Sequence, residues 1–321
     1  MRILAKRGEA AYTEYMRFDN NKVTIIGCGR VGMTAAFSLL HTGLINELVL
    51  FGRSKEKLLG EQLDLEHALS FLPFARILAS DTWSDINNSD VIVYTAGAAQ
   101  KPGQTRLDLV ETNAKILTDT LPHILEHAPN AVILMVANPV DILTYKAYQL
   151  ASWPKGRIFG SGTALDTARF RFYLSEFLHV NPQSIHAYIL GEHGDTSFPV
   201  LSSATVGGQA LANLDHFSEK QVSAAYIKSR DAAYKIINTK GATYYGIGAV
   251  IAHIVSKILR DARSIMSLSI PLHQYLGHSG VALSVPCVLG RAGVQETLQA
   301  KLDWQEKQQL NQAVVTLKQY L

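Results

Sequence analysis

A glycine-rich turn in a particular setting constrains this chain more than any other stretch. Gly27-Cys28-Gly29-Arg30-Val31-Gly32 follows the short apolar run Lys22–Ile26 and leads into a helix-forming stretch, Val31 to His41. Between a buried strand and a helix, the three glycines have separate jobs. Gly27 allows a tight turn, Gly29 lets the backbone approach a pyrophosphate, and Gly32 lets the helix lie close to the strand. The helix N-terminus then offers N–H groups to phosphate oxygens. Without the preceding strand the same spacing would predict no more than a turn.

The rhythm continues through the first half. Glu47–Phe51, Asp90–Thr95 and Ala131–Val136 are strand-like, and Lys55–Leu69 and Asp108–His127 are helix-like. Apolar strands alternating with helices specify an α/β fold: a doubly wound parallel sheet covered on both faces, binding ligands at the carboxyl ends of its strands. From about Gly162 the pattern becomes α+β. A helix (Leu165–Phe177) is followed by apolar segments around a histidine loop and by long helical stretches at Glu219–Ile237 and Tyr244–Leu259. Then come β-type segments at Ser267–Leu272 and Ser284–Leu289, and a last helix expected from Thr297. Three parts are expected: an N-terminal extension (1–21), a dinucleotide-binding domain (22–160) and a substrate domain (161–321). They meet in a tight junction at Gly160-Ser161-Gly162, and the extension is expected to contribute no chemistry.

Bulk properties narrow the function classes. A chain of 321 residues can bury a large core and divide into about two domains. A net charge of +3 gives no reason to expect nucleic acid or an acidic membrane as partner. No apolar run reaches membrane-spanning length, and charges are spread through the first twenty residues. Cys28 and Cys287 are the only cysteines. Two thiols suggest a reducing, cytoplasmic setting and provide no zinc-ligand cluster, so no metal is expected.

The second landmark is Gly191-Glu192-His193-Gly194-Asp195, after the apolar run Ala187–Leu190. A strand ending in small residues and then an imidazole can deliver an acid/base group to a cleft. By itself this pattern more often marks an exposed loop histidine. Asp166 and Arg169, three apart, share one helix face; alone, such a pair is usually a surface ion pair.

Taken with Thr95–Arg106, Val136-Ala-Asn-Pro139 and Gly160–Arg169, these landmarks resemble the L-lactate/malate dehydrogenase family, and more closely its bacterial L-lactate dehydrogenases. The resemblance runs from about Lys22 to the C-terminus. It implies a Rossmann-type sheet with a C-terminal α+β substrate domain, a homotetrameric dimer of dimers, and hydride exchange between a nicotinamide dinucleotide and pyruvate/L-lactate, as in fermentation. His193 is then the proton donor and acceptor, oriented by Asp166, and Arg169 clamps the substrate carboxylate through paired hydrogen bonds. Arg106, in a segment with Pro102 and Gly103 expected to be a mobile loop, closes over the substrate and polarises its carbonyl. Asn138 bridges substrate and cofactor, and Thr243 restricts the pocket. The implied cofactor contacts are Gly27, Gly29, Val31, Gly32, Gly52, Arg53, Ser54, Lys57, Gly97, Ala98, Val136, Asn138 and Ile247.

Two positions bear on specificity. Gln100 offers no cation for a second carboxylate, which favours pyruvate over oxaloacetate; a malate-type or broader 2-hydroxyacid enzyme is the alternative. Gly52-Arg53-Ser54 stands where this type of fold usually places a carboxylate that binds the ribose 2′-hydroxyl. Arg53 and Ser54 can instead meet a 2′-phosphate, so both NADP and NAD are open. Arg171, about 200° round the helix from Arg169, and His186 match an arginine and a histidine that bind fructose 1,6-bisphosphate across a subunit interface in bacterial relatives. Allosteric activation by that effector is expected, against a simple interface role. A dinucleotide-binding sensor without catalysis is the alternative from another class. It would have no need to keep Arg106, Asp166, Arg169 and His193 together.

Overall fold

The structure is a computed structural model that describes residues 21–98, 106–215 and 217–321, with residues 106–108 described by backbone alone. Gln100, the extension before residue 21 and the Arg106 side chain therefore lie outside the described residues.

The first half alternates as expected. Its elements are β1 (Lys22–Ile26), α1 (Arg30–Leu40), β2 (Glu47–Phe51), α2 (Lys55–Ala68), β3 (Arg76–Ser80), β4 (Val91–Tyr94), α3 (Arg106–His127), β5 (Val132–Met135), α4 (Val140–Ala151) and β6 (Ile158–Gly160). The backbone of Arg106 opens α3 rather than lying in a loop. These six strands are parallel in the order β3-β2-β1-β4-β5-β6. The order reverses between β1 and β4, which opens a crevice at their carboxyl ends. This is the Rossmann arrangement.

Side chains alternate across a strand with period two, and here both faces are apolar. Val23, Ile25, Leu48, Leu50, Val91, Val93, Val132 and Leu134 enter one buried cluster. Their neighbours Ile26, Val49, Phe51, Ile92, Tyr94, Ile133 and Met135 enter another. Two-sided burial is why these strands read as continuous apolar runs.

The second half holds α5 (Ala164–Leu178), β7 (Ile185–Leu190), β8 (Phe198–Val206), β9 (Gln209–Ala210), α6 (Glu219–Lys240), α7 (Tyr245–Leu259), β10 (Ser264–Pro271), β11 (Ala282–Gly290), β12 (Gly293–Thr297) and α8 (Trp304–Lys318). Strands β7-β8-β9 form a separate antiparallel sheet. By contrast, β10, β11 and β12 extend the first sheet antiparallel, with Ser269 of β10 opposite Gly160 of β6. One nine-stranded sheet thus runs across the junction at Gly160. This pairing joins distant residues and leaves no local sequence signature.

Some boundaries differ from the sequence reading. Thr297 ends β12 instead of starting the last helix, which begins at Trp304. A capping box sets that start: Asp303 accepts from the Glu306 N–H at 2.8 Å, and Glu306 accepts from the Asp303 N–H at 2.9 Å. Strands β3, β6 and β12 and helix α4 were not anticipated; the three strands are only three to five residues long.

Candidate active site

The glycine turn forms a cradle made of backbone. Gly27 has φ +100°, and a Cβ there would lie 2.5 Å from the Ala96 nitrogen. A Cβ on Gly32 would lie 2.3 Å from the Gly27 oxygen. No side chain fits at either position. A Cβ on Gly29 would meet nothing within 4 Å, so the turn is open at that point. Gly29 is also the N-cap of α1, with no side-chain capping bond and no acidic residue in the first turn. An open turn at an uncapped, uncontested helix N-terminus fits the pyrophosphate of a dinucleotide.

Neighbouring elements frame this cradle. Gly248 of α7 comes so near α1 that a Cβ would meet the Thr34 Cγ2 at 2.6 Å. That contact brings the first turn of α7, with half-buried Ile247, beside the fingerprint helix. Val31 and Ile247 each pack against the same core cluster. At the end of β4, the Ala98 N–H donates to Asn113 Oδ1 at 2.7 Å. Asn113 in turn donates to the Ala98 oxygen at 3.2 Å and the Asn138 oxygen at 2.7 Å. This buried asparagine of α3 ties the segment after β4, including Gly97, to the one after β5. Nothing in its helical context marked it in the sequence. Val136 is buried and Asn138 exposed, with the Asn138–Pro139 peptide cis.

At the end of β2, Gly52 does not have positive φ, and a Cβ there meets only Leu58, its Cδ1 at 3.3 Å. Nothing in the backbone requires glycine at this position. Ser54 is the N-cap of α2 and its side chain makes no capping bond; Arg53 and Lys57 are exposed.

The acid/base end is built from side chains. Asp166 in the first turn of α5 accepts from both partners: His193 Nδ1 lies 2.7 Å from its Oδ2, and Arg169 Nη1 lies 3.1 Å from its Oδ1. Helix α5 is pinned to hold this geometry. The Ile189 N–H donates to Thr167 Oγ1 at 3.0 Å, and the Thr163 N–H donates to Ser284 Oγ at 2.9 Å. Ser229 of α6 donates to the Asp166 main-chain oxygen at 3.1 Å. His193, Asp166 and Arg169 line a cavity of about 110 Å³ together with Tyr226, Arg230 and Tyr234 of α6.

Electrostatics follow from the contacts. Burial pushes the His193 imidazole down, but the Asp166 carboxylate in contact outweighs this and raises it above the ordinary histidine value. Burial pushes Asp166 up, yet His193 and Arg169 together hold it below the usual carboxylate range. Because a carboxylate cannot donate, the Nδ1 proton of the imidazole faces Asp166 and Nε2 is left for the cavity.

The structure therefore gathers Asp166, Arg169 and His193 at one point. Thr243 lies half-buried in the segment between α6 and α7. Sequence reading overlooked Asp141, the second residue of α4, whose Oδ2 accepts the His193 backbone N–H at 2.7 Å. Its place immediately after Asn138-Pro139-Val140 was the available signal. Arg171 donates through Nε to the Ala187 oxygen at 2.9 Å, and its guanidinium lies 4.9 Å from the centre of the Tyr188 ring. His186, on the same strand β7, is exposed. Both cysteines are free, and burial pushes each thiol up to about 12.

Comparison with known proteins gives a consistent result. Residues 21–160 match the NAD binding domain of lactate/malate dehydrogenase, and residues 163–321 match that family's alpha/beta C-terminal domain. The chain is 41% identical over 308 residues to L-lactate dehydrogenase 2 of Bacillus cereus, covering 95% of this chain and 98% of that one. The same figures hold for L-lactate dehydrogenase 1 of Bacillus anthracis. Among solved structures, the minor L-lactate dehydrogenase of Enterococcus mundtii superposes with a TM-score of 0.90 at 38% identity, covering 94% of this chain and 97% of the other. A lactate dehydrogenase from a deep-sea metagenome also gives 0.90, at 37% identity, with 94% and 98% covered.

Proposed function

This chain belongs to the lactate/malate dehydrogenase family, and we propose that it works as an L-lactate dehydrogenase, interconverting pyruvate and L-lactate with a nicotinamide dinucleotide. The observation that carries the mechanism is Asp166 holding both His193 and Arg169 beside one cavity. The nicotinamide, when bound, supplies the hydride for the carbonyl carbon. His193 holds the proton at Nε2 and gives it to the carbonyl oxygen, returning to the neutral imidazole; lactate oxidation reverses the transfer. Asp166 keeps the ring in one tautomer and favours its protonated form. Arg169, with one nitrogen engaged by Asp166, turns the rest of its fork to the substrate carboxylate. Arg106 polarises the carbonyl, and Asn138 and Thr243 orient the substrate.

The dinucleotide rests on Gly27, Gly29, Val31 and Gly32, with Gly97, Ala98, Val136, Asn138 and Ile247 completing its site. NAD use follows from the family; the finer reading is that NADPH is accepted as well. Gly52 leaves out the expected carboxylate without a backbone reason, and exposed Arg53 and Lys57 beside the uncommitted Ser54 hydroxyl suit a 2′-phosphate. Division into binding and substrate halves at residue 160 accompanies this reading. Assembly as a dimer of dimers follows the family reading, and the exposed apolar residues Phe71 and Phe74, 92% and 83% accessible, support only that some apolar surface is available for contact with another copy. A cytoplasmic setting agrees with two unpaired thiols. Activation by fructose 1,6-bisphosphate rests on Arg171 and His186, which stand on adjoining elements.

Steady-state assay of pyruvate and oxaloacetate, each with NADH and NADPH, tests the whole reading. Pyruvate is the preferred substrate, and Gln100→Arg raises oxaloacetate turnover. NADPH supports turnover in the native enzyme, and Gly52→Asp abolishes that use while keeping NADH. A native enzyme indifferent to NADPH defeats the cofactor reading; no activity on either keto acid defeats the enzyme reading.

A further inference from the structure

The acid/base histidine is approached by a second carboxylate from a different element. Asp141 of α4 is 2% exposed, and its Oδ2 accepts the His193 N–H at 2.7 Å. Asp166 holds the imidazole from α5; Asp141 holds the main chain of the same residue from α4. The other Asp141 oxygen and the buried hydroxyls of Thr144 and Ser269 make no hydrogen bond of full geometry, although the Ser269 hydroxyl lies near enough to act on the Asp141 charge. Those two side chains close around Gly160, where a Cβ would be 2.5 Å from Thr144 Oγ1 and 3.0 Å from Ser269 Cβ. An anion is thus kept in a dry, incompletely bonded place, when a neutral amide could accept the same N–H and donate to a hydroxyl.

We propose that Asp141 is a positioning residue for the acid/base histidine: it anchors the His193 main chain and, as a second negative charge beside the ring, helps the imidazole hold its proton. The proposal rests on the reading of His193 as proton donor. Its position in the first turn of α4 favours a carboxylate over other acceptors.

The charges around the imidazole come from several elements. Asp166 and Arg169 approach from α5 and Asp141 from α4; Glu192 is its neighbour in the loop, while Arg230 and Asp195 line the same cavity. Asp141 acts on the imidazole in the same direction as Asp166, and Arg169 opposes both. Burial pushes Asp141 itself up to about 6, against the nearby Ser269 hydroxyl and the His193 N–H, which favour its charged form. A raised carboxyl binds its proton more tightly folded than unfolded. The contribution of this group to stability is therefore lost as pH rises from the ordinary carboxylate range through about 6, and is gone at neutral pH. The charge is held at the expense of the fold, which argues for a use in the site.

The test compares Asp141→Asn with the native enzyme in pH profiles of kcat/KM for pyruvate, in thermal melting and in NADH binding. The asparagine keeps an acceptor for the His193 N–H and removes the charge. The expected result is an alkaline limb of pyruvate reduction moved down by about 0.5 to 1 pH unit, with melting no lower than native. An unshifted limb overturns the proposal. So does a variant that melts well below the native enzyme or does not fold, because the carboxylate would then serve the fold. His193→Gln separates the two readings. If it keeps native turnover, the histidine reading itself is wrong; if it is inactive while Asp141→Asn is unshifted, only the role of Asp141 falls.

Discussion

The dinucleotide end and the acid/base end of the cleft are made from different parts of the chain. At the dinucleotide end, Gly27, Gly29 and Gly32 lie within six consecutive residues and act by what they lack: side chains at Gly27 and Gly32 would collide with backbone within 2.5 Å. At the acid/base end, Asp141, Asp166, Arg169 and His193 come from three separated segments and act through charge and hydrogen bonds of 2.7 to 3.1 Å. A backbone-made site is sensitive to volume and indifferent to pH. One made from ionisable side chains has the opposite sensitivities.

Three measurements break or sharpen this contrast. Arg169→Lys keeps the charge but loses the fork, so kcat/KM for pyruvate falls by about 100-fold, the equivalent of one charge-assisted hydrogen bond. NADH affinity by fluorescence titration stays native; a matching loss there would mean that the two ends are not separable. On the proposed mechanism, pyruvate reduction by the native enzyme needs protonated His193. Since its folded value is raised, the rate holds past the ordinary histidine range and then falls about tenfold per pH unit. NADH affinity over the same range is flat. Gly32→Ala gives the smallest effect on chemistry. Crowding the Gly27 oxygen costs about 1–3 kcal/mol in stability, read as a lower melting temperature, and weakens NADH. The pH limb set by His193 does not move.

The same contrast explains what could be read from the sequence. Contiguous glycines after an apolar strand carry their geometry with them, and Lys22–Ile26 and Glu47–Phe51 form strands over those same residues. His193, Asp166 and Arg169 could be named only together, through the family resemblance of the segments that carry them, because singly they read as a loop histidine and a surface ion pair. Asp141 and Asn113 could not, since each works by reaching a backbone group far along the chain: Asp141 to His193, Asn113 to Ala98 and Asn138. The pairing of β10 with β6 is similarly nonlocal. The misplaced last helix was a different error. Asp303 and Glu306 announce its start in sequence, but the strand Gly293–Thr297, with a bulge at Val288/Leu289 of its partner, does not announce itself.

The continuous sheet has a consequence for synthesis. Strand β6 is complete once Gly160 has been made, but its partner Ser269 follows about 110 residues later. At ordinary translation rates of about 5–20 residues per second, the nascent sheet waits roughly 5 to 20 s with a bare row of amides and carbonyls on that side. During this interval the edge is open to pairing with another nascent chain, and chaperones that bind exposed strand edges would find their target here. A ribosome stalled between these positions would hold a half-sheet with the β6 edge bare, while one stalled just after β10 would move that bare edge out to β10, where β11 has yet to pair.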